Sequence, residues 1–518
     1  MSSIEAISVS AGDSHDKTAA TTLAFTLLVF VIGWIAQLIV YAPMFKILPA
    51  GDDFPVLNDL NRGNEQGAFS LVTQSYGGAN YRPVRALGVW LFGNVAAENR
   101  VFSLHVLHYC GAAFFSLSAL LWLRTVPLGK AGVIAAAVVI FFHPGLVASI
   151  CSLDSVDSTI STGILWLGVW LIHRFRERLI LCCIFAAICF LIGGVTKEYI
   201  FALVPLGFWT LFYLSDRTAR TRLMRASILA MVLMLCLAVL LMIRYYTMPA
   251  GSERGMQYLD LNPTVWATNV ASLLFGLLLP GNTTWVFLNR NSPLLFLALP
   301  AILALCAVVA GGIYQFRDSH QPRYRWIIYL SVAIGLSCFP MIVMFHVSEM
   351  YLPPLVIPFA LLCGIAADGW RRTVRWMQIS VVVVSIAMLC GSILAIQSKI
   401  AGMRSVGERA DIQIDQILKL LPADAVNVRI AIIYNTFGMK KNRHYSVFAM
   451  GDEITLVHEN VLNWKAPGRD LKIDVYFNST YPKRPDVNYD HVFMWDHRAS
   501  VMRPSSLDEA WPPRSLGF

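Results

Sequence analysis

Two adjacent carboxylates, Asp52 and Asp53, lie a few residues beyond an apolar run long enough to cross a bilayer, and Arg82-Pro83 follows before the chain turns apolar again. Adjacent carboxylates disfavour each other's ionisation and partial burial acts in the same direction, so one of the two can take a proton from a hydroxyl as a general base. Arg82 supplies a cation suited to a phosphate. Equally, an Arg-Pro pair serves as a turn that anchors a re-entering helix. Lys197-Glu198 follows Gly193-Gly194 and offers a second cation, with Glu198 as the counter-ion that holds it in place; its plainer reading is a lysine snorkelling from a span. His143-Pro144 closes one apolar run, and Asp154 and Asp157 open the next, where carboxylates cap helix N-termini. His346 and Glu349 stand together at the edge between two later runs. An imidazole close to a carboxylate can bind a phosphate or protonate a leaving group.

The chain that must position these residues is a polytopic α-helical membrane protein. With 56% hydrophobic and 14% charged residues and a mean hydropathy of +0.58, its composition excludes a soluble globule. Residues 1–18 read as a cytoplasmic tail and residues 21–42 as a retained first span. Further apolar runs lie near residues 100–123, 131–150, 158–173, 179–195, 199–215 and 226–244. Every second connection is basic: Arg124 and Lys130, then Arg174 to Arg178, Arg217 to Arg225, Arg323 and Arg325, and Arg371 to Arg375. The positive-inside rule makes those loops cytoplasmic and the acidic ones extracytoplasmic, so the net charge of +9 reports topology and not nucleic-acid binding. Residues 265–280 break the count; the interruption Leu279-Pro280-Gly281-Asn282 suggests a segment that lies along or dips into the outer face. About eleven spans result, with the N-terminus inside and the C-terminus outside.

Three parts follow: the tail, a transmembrane domain at 19–398 with a first outer loop at 43–99, and a small extracytoplasmic α/β domain at 399–518. In the last part, apolar residues at helical spacing precede Pro422, and strand-like runs follow at 426–434, 454–457, 471–477 and 491–495. The ten cysteines all fall in or beside apolar segments, as packing residues and not as a disulfide or metal framework.

The acidic pair in the first outer loop, Tyr81-Arg82-Pro83-Val84, Phe142-His143-Pro144, Thr196-Lys197-Glu198 and Glu349-Met350-Tyr351-Leu352-Pro353 occur in an order that resembles the GT-C membrane glycosyltransferases. The likeness is to O-mannosyltransferases that carry tetratricopeptide repeats and, more distantly, to protein mannosyltransferases and aminoarabinose transferases, over roughly residues 20–400. The resemblance implies a GT-C-like fold, Asp52 or Asp53 as the base, and Arg82, Lys197 and His346 on the phosphate of a polyprenyl-phosphate sugar donor. Glu198, His143, Asp154, Asp157 and Glu349 would support them. Met350 stands where that family has an arginine, so one phosphate ligand is missing or moved, and the C-terminal region is not tetratricopeptide.

The expected activity is inverting transfer of a sugar from the lipid phosphate to a glycan, lipid or protein acceptor outside a bacterial inner membrane. No cofactor is required, because phosphate is a good leaving group, although two carboxylates can also bind a divalent cation. The alternatives are a transporter or flippase of lipid-linked saccharides, which would use the same cations, and a polymerase of glycan repeat units.

Overall fold

The computed structural model describes residues 22–51, 53–73, 82–95, 99–247, 260–283, 298–316, 322–344, 347, 349–434, 461–466, 468–477, 485–496, 499 and 501–511. A bilayer offers the backbone no hydrogen bonds, so apolar runs of this length close their own as helices. Among the described residues, eight helical segments are long and apolar enough to span a membrane, and four shorter apolar helices of 10–17 residues join them. The chain is an integral membrane protein of polytopic helical architecture, with a small α/β sheet near its C-terminus.

The first span, α1 (Leu23–Tyr41), leads to α2 (Asp53–Gln66), α3 (Ala68–Thr73) and α4 (Pro83–Val95), which form the first long loop. Next come α5 (Arg100–Thr125), α6 (Lys130–Phe142), α7 (Val147–Cys151), α8 (Val156–Arg174), α9 (Leu179–Gly194), α10 (Leu203–Leu214) and α11 (Ala219–Thr247). The bundle closes with α12 (Pro263–Leu278), α13 (Ala298–Tyr314), α14 (Pro322–Ser337), α15 (Phe339–Ile342), α16 (Pro353–Trp370) and α17 (Arg375–Leu420). Helices α5 and α8 pack along each other, and α16 is held between α6 and α13.

The two ends of this bundle differ in charge. At one end Arg176 and Arg325 both reach Asp216, at 3.6 and 3.2 Å, and Arg217 pairs with Glu177 at 2.7 Å. Asp368 there accepts from the Gly132 N–H at 3.0 Å and from Arg323 at 3.4 Å. The basic connections seen in the sequence therefore meet at a single arginine end. Helix α12 stays at the opposite, acidic end: Asn269 donates to the carbonyls of Ile342 and Met344 at 3.0 and 2.6 Å, and the Leu277 carbonyl meets His143 at 3.0 Å.

Helix α17 has 46 residues, about 69 Å at 1.5 Å per residue, and passes without a break through the domain boundary expected at residue 399. Its last turns carry the sheet, whose strands β1 (Arg429–Tyr434), β2 (Lys472–Phe477), β3 (His491–Asp496) and β4 (Val501–Pro504) lie in the order β2-β1-β3-β4. Strand β1 is parallel to both neighbours and buried on both faces, while β4 closes the edge antiparallel to β3. The strand expected at 454–457 lies outside the described residues, and β4 escapes sequence reading because its four residues include Arg503 and Pro504.

One face of the sheet joins the first loop in a continuous apolar core: Phe54, Leu57 and Leu60 of α2 meet Ile414 and Ile417 of α17 and Ile432 of β1, together with Leu153 and Val156. The terminal domain thereby supports the helix that opens with Asp53. Gly407 fixes their approach, since a Cβ there would sit 2.2 Å from the Leu48 carbonyl oxygen. Gly407→Ala must push α17 off the backbone of this loop, with an expected loss of ~1–3 kcal/mol, the usual range for overpacking. Thermal unfolding in detergent checks it, and an unchanged midpoint would mean that the contact is not tight.

Candidate functional site at the acidic end

Asp53 is the first residue of α2. The turn before it needs a left-handed residue, and Gly51 supplies it at φ 55°. The Asp53 N–H donates to the Ala50 carbonyl at 3.0 Å, and its Oδ2 accepts from the Ala50 N–H at 3.2 Å, so the side chain closes its own turn. Oδ1 reaches across the fold to accept from Ser152 Oγ at 3.2 Å and the Asp154 N–H at 3.1 Å. Asp154 Oδ1 in turn lies 2.7 Å from the hydroxyl oxygens of both Ser152 and Ser155, so the single Ser152 proton is shared between the two aspartates. The Oδ2 of Asp154 has no partner among the described residues, and Asp154 is half-buried where Asp53 is buried.

Burial, reinforced by the Asp154 charge and opposed by the three donors, pushes the Asp53 carboxyl up from 3.8 to about 8. The folded protein then holds a proton that the unfolded chain has lost. Stability from this group is full below about pH 4 and is lost as the pH rises through about 8. Melting temperatures between about pH 5 and pH 9 should fall with pH in wild type and flatten in Asp53→Asn. Parallel curves would show that Asp53 does not titrate there.

The second cluster is a chain of five charges. Pro83 opens α4 and leaves Arg82 just outside the helix, from where it donates to Asp157 at 2.8 Å and Glu198 at 3.2 Å. Lys197 follows the end of α9 in an extended conformation, with its carbonyl accepting from Ser161 at 3.1 Å. Its Nζ donates to Asp157 at 3.1 Å and Ser158 at 2.7 Å and lies 5.1 Å from the Tyr199 ring centroid. Arg244, from the end of α11, completes the chain on Glu198 at 2.9 Å.

Two sequence readings change here. Asp157 does not cap α8, whose N-cap Ser155 makes no side-chain capping bond; instead it is fully buried between two cations. Lys197 is held by Asp157, while its neighbour Glu198 pairs with Arg82 and Arg244. Among the described residues three cations thus share two carboxylates, one positive charge in surplus.

A third group surrounds Glu349. Lys399 of α17 is buried and donates to both Glu349 oxygens at 2.9 and 2.8 Å, to the Pro144 carbonyl at 3.0 Å and to Thr283 Oγ1 at 3.0 Å. His143 accepts from the Gly145 N–H at 3.1 Å through Nδ1, which makes Nε2 the donor to Leu277 at 3.0 Å. Its ring is a fixed structural link. Met350 connects the groups: its carbonyl accepts from Tyr199 Oη and Ser149 Oγ, and its sulfur lies 2.9 Å from Ser155 Oγ.

Asp53, Arg82, His143, Asp154, Asp157, Lys197, Glu198 and Glu349 are thus gathered at one end of the bundle, whereas Asp52 and His346 lie outside the described residues. Sequence reasoning missed Arg244, Lys399 and the serines between the carboxylates. An ionisable residue at the edge of an apolar span was the available signal for Lys399 and Arg244.

No protein-family model matches the chain, and no curated protein matches it in sequence. Among solved structures it is similar to ArnT from Cupriavidus metallidurans bound to undecaprenyl phosphate, at a TM-score of 0.49 and 13% identity over 92% of this chain and 94% of that one. It is similar to the apo state of the same ArnT at a TM-score of 0.48 and 12% identity, over 90% and 92% of the two chains.

Chemically, the Arg82–Arg244 chain at the acidic end carries one more cation than carboxylate among the described residues and can hold an anion, beside an aspartate pair in which one carboxyl is proton-retaining and the other more open. A carboxylate pair next to an anion site suits proton removal from a nucleophile coupled to departure of an anionic leaving group.

Proposed function

We propose that this membrane protein is a glycosyltransferase of GT-C type that moves a sugar from a polyprenyl-phosphate donor to an acceptor at the acidic end. The observation that carries the reading is the surplus of cations in the Arg82–Asp157–Lys197–Glu198–Arg244 chain beside the Asp53–Asp154 pair. The acceptor oxygen attacks the anomeric carbon, the bond from that carbon to the phosphate oxygen breaks, and the phosphate leaves with the bonding electrons on its lipid. The hydroxyl proton passes to Asp154, the more open member of the pair, and configuration at the sugar inverts. Arg82, Lys197 and Arg244 stabilise the charge that builds on the leaving phosphate. Asp52 and His346 are assigned by motif order alone to the base and the phosphate, respectively. The asymmetry of basic and acidic ends supports a site outside the cytoplasm; the bacterial inner membrane is part of the proposal and rests on the motif resemblance alone.

The test is mass spectrometry of envelope glycans and glycolipids from cells lacking the protein, complemented with wild type, Asp53→Asn, Asp154→Asn or Lys197→Ala at matched membrane levels. A glycoform restored by wild type but not by Lys197→Ala and at least one aspartate variant, with the lipid-phosphate sugar accumulating, is the expected result. Full restoration by all three variants would sink the transfer reading.

A further inference from the structure

A slot of about 590 Å³ opens between α6, α13, α16 and the membrane portion of α17, and its chemistry differs from that of the acidic end. From α6 its wall takes Ala131, Ala135, Val138 and Phe142, a helical face; from α17 it takes Gln378, Val382 and Ser385. The wall runs from Arg371 to His143 and Pro144, and the stretch of α6 that lines it covers about 17 Å at 1.5 Å per residue. Such a length exceeds one leaflet, about 15 Å, and falls short of a full hydrocarbon core of about 30 Å. An apolar slot of this shape facing lipid takes a hydrocarbon chain.

The position of the chain's head follows from the polar groups at the two mouths. At the mouth towards the acidic end, both His143 nitrogens are engaged with backbone and Lys399 is saturated by four acceptor atoms, so neither is left for a ligand. Towards the arginine end, Arg371 lines the slot, is exposed and forms no salt bridge among the described residues. Arg372 stacks on Phe316 at 4.6 Å, Arg375 opens the next helix, and Gln378 ties the turn by donating to the carbonyls of Arg371 and Thr373 at 3.1 and 2.8 Å. Basic turns of this kind between spans bind anionic head groups.

We infer that the slot is a binding site for an anionic phospholipid of the leaflet at the arginine end, with its phosphate on Arg371 and one acyl chain between α17 and the bundle. The lipid braces the helix that delivers Lys399 to the acidic end. This site is separate from that of the proposed donor, whose phosphate would sit at the opposite end.

The full-length protein, reconstituted in nanodiscs of phosphatidylcholine and phosphatidylglycerol in equal amounts, is released and examined by native mass spectrometry. Wild type should retain phosphatidylglycerol over phosphatidylcholine. Arg371→Gln should reduce that retention about fivefold, the equivalent of one basic residue near a head group, and Arg371→Lys should restore it. Ser385→Trp, at an exposed position on the slot wall, should expel the lipid. Equal retention of the two lipids by wild type, or undiminished retention by Arg371→Gln, overturns the inference. So does displacement by undecaprenyl phosphate, which would make the slot part of a donor site. None of these readouts depends on catalysis, so failure of the lipid site and failure of the transferase reading are distinguishable.

Discussion

Asp157→Asn is expected to lower the stability of the folded protein by ~3–5 kcal/mol, the usual consequence of removing one partner from a buried ion pair. The Asp157 side chain is wholly buried and accepts from Arg82 through one oxygen and Lys197 through the other, and among the described residues neither cation has a second carboxylate of equal burial to turn to. Glu198 is the nearest substitute for Arg82, but its side chain is 36% exposed and already shared with Arg244. Solvent screens that partner, and Glu198→Gln should cost only ~1 kcal/mol. Combining Asp157→Asn with Lys197→Met removes one of the stranded charges and should recover part of the loss. Chemical unfolding of the purified variants in detergent reads all three. If Asp157→Asn costs no more than Glu198→Gln, water reaches the network and the buried-charge argument fails.

The same network shows what can be read from the chain and what cannot. Spans, basic loops and the α12 segment at the acidic end follow from local apolarity and charge, because a bilayer punishes exposed backbone and misplaced arginine wherever they occur. Arg82, Lys197, Glu198 and Asp157 stand out as ionisable residues at span edges for the same reason. Their pairing does not. Adjacency in sequence suggests Lys197 with Glu198, yet Lys197 is extended at the end of α9, and its side chain reaches α8 while Glu198 reaches α4 and α11. Helix caps mislead similarly: Asp157 in a first turn has the local chemistry of a cap, and only the arrival of Arg82 from 75 residues away and of Lys197 from 40 gives it another role. The terminal domain was legible as strands and a helix, but not as a support for Asp53, because the Phe54, Ile414 and Ile432 contacts join segments far apart in the chain.

Lys399 carries the second large effect, and it bears on the arginine that the family resemblance leads one to expect at Met350. A cation is present beside Glu349 after all, delivered by α17 and bonded to both carboxylate oxygens. Lys399→Met should strand the Glu349 charge among Thr283, Pro144 and the buried side of α17, costing ~3–5 kcal/mol, and Glu349→Met should strand Lys399 at similar cost. The double variant removes both charges and replaces them with flexible apolar side chains, so its stability should return to within ~1–2 kcal/mol of wild type or exceed it. Function should separate from stability in that protein. With the pair gone, no ion pair among the described residues fixes α17 to the Glu349–Tyr351 turn, whose Met350 carbonyl holds Tyr199 beside Lys197. A stable double variant that no longer supports formation of the glycoform would therefore make the pair a positioning device for the cation chain. A stable and fully active double variant would reduce it to one of two interchangeable ways of filling the same space.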